Sequence, residues 1–177
     1  MKILKRLLFI ILGLVALLLI VALFVKKDFS ITREVVINKP VTEVFNYVKY
    51  LKNQDNYSVW NQIDPAMKKS YTGTDGAVGF IYAWDSENKN AGQGEQEIKA
   101  IKENQRVDVE VRFKKPMEGT NNSSIITTAL GDSQTKVEWG FYGTSPYPMN
   151  LLNLCMDGMI GGDLQQNLNN LKSLLEK

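Results

Sequence analysis

Hydrophobic positions follow three different rules along this 177-residue chain. The first rule has no period. "LLFIILGLVALLLIVALFV", from Leu7 to Val25, is 19 residues without a charge, long enough to cross about 30 Å of hydrocarbon as a helix. Alternation begins at "SITREVVIN", where Ile31, Arg33, Val35 and Ile37 share one face. "NKPVTEVFNYVKYL" then predicts a helix: Pro40 suits a first turn, Glu43 favours the N-terminal dipole, and Val41, Val44, Phe45, Val48 and Leu51 recur at helical spacing. A loop or second short helix follows through "KNQDNYSVWNQIDP", with Trp60 as a packing anchor. After Pro65 the period becomes two, with strands expected near "AMKKSYTG", "GFIYAWDS", "GQGEQEIKAI", "RVDVEVRF", "SIITTAL" and "TKVEWGFYG", separated by turn-rich pieces such as "TGTDG" and "LGDSQ". From Asn150, an N-cap candidate after "SPYP", the pattern is helical to the end. Leu151, Leu154, Cys155, Ile160, Leu164, Leu168, Leu171 and Leu175 lie on one stripe.

This order predicts an α+β domain at residues 29–177, preceded by an anchor segment at 1–28. A curved antiparallel sheet of seven strands cannot bury its concave face alone, and the C-terminal helix is the element long enough to cover it. Alternation selects the covered face: Phe80, Tyr82 and Trp84 on one strand, Gly94, Gln96 and Ile98 on the next, then Val107, Val109, Val111 and Phe113, and finally Val137, Trp139 and Phe141. The same register turns Glu95 and Glu97 outward. Their spacing resembles that of paired hydrolytic carboxylates, but on a wet convex face they are expected to be ordinary solvated groups whose loss costs no more than about 0.5 kcal/mol. A bulge near Gly92 to Gly94 would invert that assignment.

Charge modifies the picture at the N-terminus. Lys2, Lys5 and Arg6 precede the apolar span and Lys26 and Lys27 follow it, as expected for a helix with cations at both headgroup layers. A cleaved signal peptide is the rival reading. The span exceeds the usual apolar core of such peptides and no Ala-x-Ala pattern precedes Lys26, so an uncleaved single-pass anchor is expected, with the short basic N-terminus cytoplasmic and the domain on the non-cytoplasmic face. Without the flanking charges, residues 29–177 carry 16 cations against 18 acids, which gives no support for nucleic-acid binding. The chain has no histidine and one cysteine, Cys155. Histidine-dependent triads and metalloenzyme motifs are thereby excluded, as are an internal disulfide and a cysteine-cluster metal site. No catalytic constellation, metal site or cofactor is expected. Cys155 reads as a small buried hydrophobe.

The segments "INKPVTEVFNYVKYLKNQDNYSVW", "MKKSYTGTDGAVGFIYAW" with "GQGEQEI", and "VEWGFYG" with "YPMNLL" and "IGGDLQQNLNNLKSLLEK" resemble the SRPBCC superfamily. The similarity is to its polyketide cyclase/dehydrase-like branch, with the helix-grip fold shared by START lipid-transfer domains and the birch-pollen allergen. The resemblance covers Ser30 to Lys177 and transfers no shared catalytic motif. It implies an apolar cavity between the sheet and the last helix, holding a hydrophobic small molecule or lipid. The residues offered to it are Phe80, Tyr82, Trp84, Gln96, Val109 and Val111 from the middle strands. Trp139 and Phe141 come from the last strand, and Met156, Met159 and Ile160 from the C-terminal helix. Tyr82 and Gln96 would bond a ligand head group or a buried partner; Met149, Met156 and Met159 would form an adaptable surface or fill core gaps. Gly158, Gly161 and Gly162 would permit close packing or loosen a lid. Three functions remain open: a membrane-anchored carrier, a cyclase- or dehydrase-type enzyme moving a proton through Tyr82 or an inward acid, and a tethered protein-interaction module with a filled cavity.

Overall fold

The computed structural model describes residues 2–177. Its first element, α1 (Lys2–Phe24), is long and apolar enough to cross a membrane. Among its described side chains only Ala22 is buried. A short connection leads into β1 (Asp28–Ile37). Then come α2 (Val41–Val48), a 3-10 turn at Leu51–Asn56 and the single-turn α3 (Val59–Gln62). Six strands follow: β2 (Lys68–Thr72), β3 (Ile81–Asp85), β4 (Gln93–Lys102), β5 (Arg106–Lys115), β6 (Gly119–Gly131) and β7 (Gln134–Thr144).

All seven strands form one antiparallel sheet in the order β1-β7-β6-β5-β4-β3-β2. Hairpins connect β2 through β7, and β7 returns beside β1, pairing Asp28 with Thr144 and Ile37 with Thr135. The helical entry is set locally by Pro40, whose carbonyl accepts the amides of Glu43 (3.0 Å) and Val44 (3.1 Å). Proline lacks the N–H that a first helical turn leaves unpaired. Val44, Phe45 and Val48 bury the inner stripe of α2, which stops there; Leu51 is buried from the following 3-10 turn instead.

The C-terminal segment departs from the single helix expected. It runs as a 3-10 turn (Met149–Leu152), α4 (Asn153–Met156), a π turn (Asp157–Gly161) and α5 (Gly162–Leu175). Within this segment α5 buries its stripe against the sheet, with Leu164, Leu168 and Leu171 fully buried. The π turn admits an extra residue and rotates the preceding stripe away, so Leu154 and Cys155 are exposed rather than buried. Glycines 158, 161 and 162 are poor helix formers in this stretch. Gly161 has a specific reason: a Cβ there would collide with the Arg33 guanidinium, which reaches across from β1 to Asp157 at 2.8 Å. Gly158 and Gly162 face open space.

Asn150 is not an N-cap. It is buried within the 3-10 turn and its amide donates to the carbonyls of Ala22 (2.7 Å) and Val25 (2.8 Å). It thus satisfies orphan acceptors at the end of α1. Asn153 does the same one turn later for Lys26 (3.0 Å) and Lys27 (2.8 Å).

Candidate functional site

The register on β4 settles which residues face inward. Gly94, Gln96 and Ile98 are buried while Glu95 and Glu97 lie on the opposite face. The pairing with β5 shifts between Gln93 and Gly94, so the irregularity considered from sequence exists, but it precedes the alternation and leaves it intact. The two glutamates are not merely solvated. Arg112 on β5 donates to Glu95 (2.8 Å), to Glu97 (2.7 Å) and to Glu110; Lys114 adds a bond to Glu95 (2.8 Å) and Lys99 one to Glu97 (3.1 Å).

Hydrogen bonds from Lys114 and Arg112 hold the Glu95 carboxyl below the usual range, and those from Arg112 and Lys99 do so for Glu97. Two ionised, paired carboxylates are poor proton donors, so this cluster braces the outer sheet rather than carrying out chemistry. Because both folded pKa values are depressed, their stabilisation is fully present above the unfolded carboxylate range near pH 4.3 and is lost as pH falls through the folded values. Replacing both by glutamine should cost about 1 kcal/mol at neutral pH, more than a plain surface change, and should flatten the loss of stability on acidification below about pH 4.5. Chemical denaturation at several pH values checks this, with binding of an apolar probe expected to be unchanged.

On the inner face the sheet, the segment around Leu51–Asn56 and α3, and the π turn enclose a cavity of about 420 Å³. Of the residues selected from sequence, Tyr82, Trp84, Gln96 and Val111 line it from the middle strands, Trp139 and Phe141 from β7, and Met159 and Ile160 from the π turn. Phe80, Val109 and Met156 do not. Phe80 precedes β3 and stacks on Tyr71 with ring centroids 6.3 Å apart and planes 12° from parallel. Val109 lies farther along β5 and belongs to the packed core, and Met156 packs against that core ahead of the π turn. The sequence reading missed Gln54, Asn61, Ile63 and Met67, which close the cavity from the 3-10 turn, α3 and the segment after it, and Ser123 on β6. Trp60 both packs, edge-on to Trp139 at 6.0 Å, and lines the cavity; its indole N–H is tied to Asp163 at 2.9 Å. A hollow of about 460 Å³ on the outer face, between Lys69, Glu95 and Lys114, is open and polar.

Few polar groups face the apolar space, and apart from the exposed Asn90 at its edge they are partnered. Gln96 donates to Gln54 (3.0 Å); the Trp139 indole N–H donates to Ser123 Oγ (2.9 Å), whose hydroxyl donates to the Gly140 carbonyl (3.0 Å). The most elaborate group is at Tyr82, whose hydroxyl donates to Asp55 (2.7 Å). Asn61 donates to both Asp55 (2.9 Å) and Tyr82 (3.1 Å), and Lys69 pairs with Asp55 at 2.9 Å. Burial pushes the Asp55 carboxyl up, but the bonds from Tyr82, Asn61 and Lys69 outweigh it and hold the group below its ordinary value. Burial, reinforced by the bond to Asp55, raises the Tyr82 hydroxyl well above its ordinary value. The acid therefore stays ionised and the phenol stays protonated near neutrality.

Solved structures of other proteins share this architecture. The norcoclaurine synthase of Thalictrum flavum, solved in complex with dopamine and hydroxybenzaldehyde, superposes with a TM-score of 0.62 at 12% identity, over 84% of this chain and 86% of that one. Ara h 8.0201 gives 0.53 at 13% identity over 84% and 97%. A protein from Mesorhizobium loti gives 0.59 at 15% over 83% and 96%. At these identities the likeness establishes the fold alone. No curated protein matches the chain in sequence. The family model described as polyketide cyclase/dehydrase and lipid transport, however, matches residues 28–176, the sheet, the cavity walls and the gripping helix together, and the chain belongs to that family.

Proposed function

We propose that this protein is a membrane-anchored binding protein that holds a hydrophobic small molecule or lipid between its sheet and its C-terminal helix. The observation that carries this reading is the 420 Å³ cavity walled by Trp60, Trp84, Phe113, Trp139 and Phe141, in the size range of small-molecule sites. Burial of a ligand's apolar surface would stabilise the complex by roughly 25 cal/mol per Å², and Gln96 or Asn61 would orient a polar end. The domain, residues 29–177, would be held at the bilayer by the span from Leu7 to Val25, with the basic N-terminus cytoplasmic. Native mass spectrometry of the full chain, extracted gently from its own membrane, tests the reading. The expected result is a copurifying apolar molecule displaced by a fluorescent fatty acyl probe. A protein that carries nothing and binds no such probe would rule the carrier out in favour of the interaction module.

The Asp55–Tyr82–Asn61 group supports a second reading, the enzyme. Its ionisation argues against Tyr82 as a base and against Asp55 as an acid. What the group offers is a fixed phenol at the cavity wall. In the carrier, Tyr82→Phe keeps apolar probe affinity within about threefold, a change worth under 1 kcal/mol; the enzyme reading instead requires turnover of a bound ligand that this variant abolishes.

A further inference from the structure

Residues 145–156, "SPYPMNLLNLCM", carry no charge, yet much of this stretch is on the surface. Tyr147, Met149, Leu152 and Leu154 are 44%, 50%, 43% and 67% exposed. Exposed apolar side chains this dense on a soluble face need a cover. The cover is indicated by what the stretch is fastened to. Asn150 and Asn153 bond the last carbonyls of α1 and its connection, the Ser145 amide bonds Lys27 O at 2.9 Å, and the Tyr147 hydroxyl approaches Leu19 O at 3.4 Å. Leu19 is six residues before Val25, about 9 Å down a helix axis. A span with Lys26 and Lys27 at the headgroups therefore carries Tyr147 below the membrane surface.

The cavity rim is at the same end of the molecule. In the antiparallel sheet, the end at which β1 begins at Asp28 and β7 closes at Thr144 is also the end at which β6 begins at Gly119, paired with Phe113 on β5, which pairs in turn with Gly94 on β4. Phe113, Ala91 and the 63%-exposed Met159 line the cavity there. The opposite end, with Asp132 in the β6–β7 turn, points away from α1.

We propose that residues 145–159 form a second, monotopic membrane contact, seated in the interface of the same bilayer that holds α1, so that the cavity mouth faces acyl chains and ligand moves between membrane and cavity without crossing water. The membrane contact rests on α1 being retained as an anchor, and the exchange route rests on the carrier reading above. The apolar side chains supply burial and Lys26 and Lys27 supply the headgroup attraction that interfacial segments combine. This also accounts for a charge-free stretch ending at Asp157, whose carboxylate is paired with Arg33 instead of left near lipid.

The sole cysteine provides the probe. In full-length protein reconstituted into phosphatidylcholine/phosphatidylglycerol vesicles, a nitroxide on Cys155 should collide with oxygen readily. Its collisions with a water-soluble nickel chelate should be at least about fivefold fewer than for a nitroxide at Asp132→Cys in a Cys155→Ser background. Equal chelate access at the two sites overturns the membrane contact. A second arm reads function: Leu152→Ser with Leu154→Ser alters only exposed side chains, and should slow transfer of a fluorescent fatty acyl probe from vesicles about tenfold while leaving its equilibrium affinity in detergent unchanged. Unchanged transfer overturns the exchange route. Absence of probe binding in detergent by the unsubstituted protein removes the carrier function but leaves the nitroxide result to decide the membrane contact.

Discussion

Trp139→Ala is expected to lower the stability of the domain by about 3–5 kcal/mol and to abolish measurable binding of an apolar probe. The indole is almost fully buried. It meets Tyr57 edge-on at 5.9 Å and Trp60 at 6.0 Å, and its N–H is held by Ser123. Truncation leaves a void that merges with the cavity, so the cost combines lost transfer energy with the loss of two aromatic contacts. Stability and binding must be separated, and Trp139→Phe does this. Phenylalanine keeps a ring in place, and Ser123 keeps the Gly140 carbonyl as its acceptor. The cost should be about 1–2 kcal/mol, and probe affinity should fall roughly threefold to tenfold, equivalent to about 0.7–1.4 kcal/mol. Thermal unfolding beside a fluorescence titration checks both. A folded phenylalanine variant with unchanged affinity would show that the ligand does not touch this wall.

The second large effect is expected at Gly94, where a methyl group is too much. A Cβ there would sit 2.6 Å from Cζ2 of Trp84 and 2.7 Å from the backbone oxygen of Arg112. The indole can swing, but the backbone of the paired strand cannot do so without disturbing its ladder. Trp84 is also fixed by its N–H bond to Ala91 O (3.0 Å) and by an edge contact with Phe113 at 6.0 Å. Gly94→Ala should therefore cost about 1–3 kcal/mol as overpacking and displace one wall of the cavity. Denaturant midpoints and tryptophan emission would register the two consequences. The glycine in "GQGEQEI" is thus explained by packing of an aromatic wall over bare backbone, and the glutamates beside it by ion pairs on the other face.

What was legible in the sequence divides along local and nonlocal lines. Strand faces are set by a period of two that each strand carries in its own residues, which is why Gly94, Gln96 and Ile98, or Val137, Trp139 and Phe141, could be turned inward without knowledge of their neighbours. The helix-grip architecture followed from element order and from the family resemblance. The polar side of the cavity was not legible, because Gln54 and Asp55 sit in a 3-10 turn and Asn61 in the single-turn α3, pieces too short for periodicity to assign a face. Arg112 was equally silent: Glu95 and Glu97 reach it from β4 beside Glu110 of its own strand, and only the register between β4 and β5 reveals the first two. Cys155 and Leu154 were misassigned because a helical stripe was extended through a π turn that shifts its phase.

That π turn divides the C-terminal segment into two parts of unequal local stability. Beyond it, Leu164, Leu168 and Leu171 are sealed against the sheet, so exposing the amides of α5 requires disruption of the whole core. Before it, the chain from Met149 to Met156 buries little apart from Asn150, and the π turn itself is tied to β1 by the Arg33–Asp157 pair. Amide exchange should therefore fall into two classes within one apparently continuous helix. The fast class adjoins the cavity rim at Met159 and Ile160 in the π turn, so the rim can open by a sub-global fluctuation while the rest of the domain remains folded.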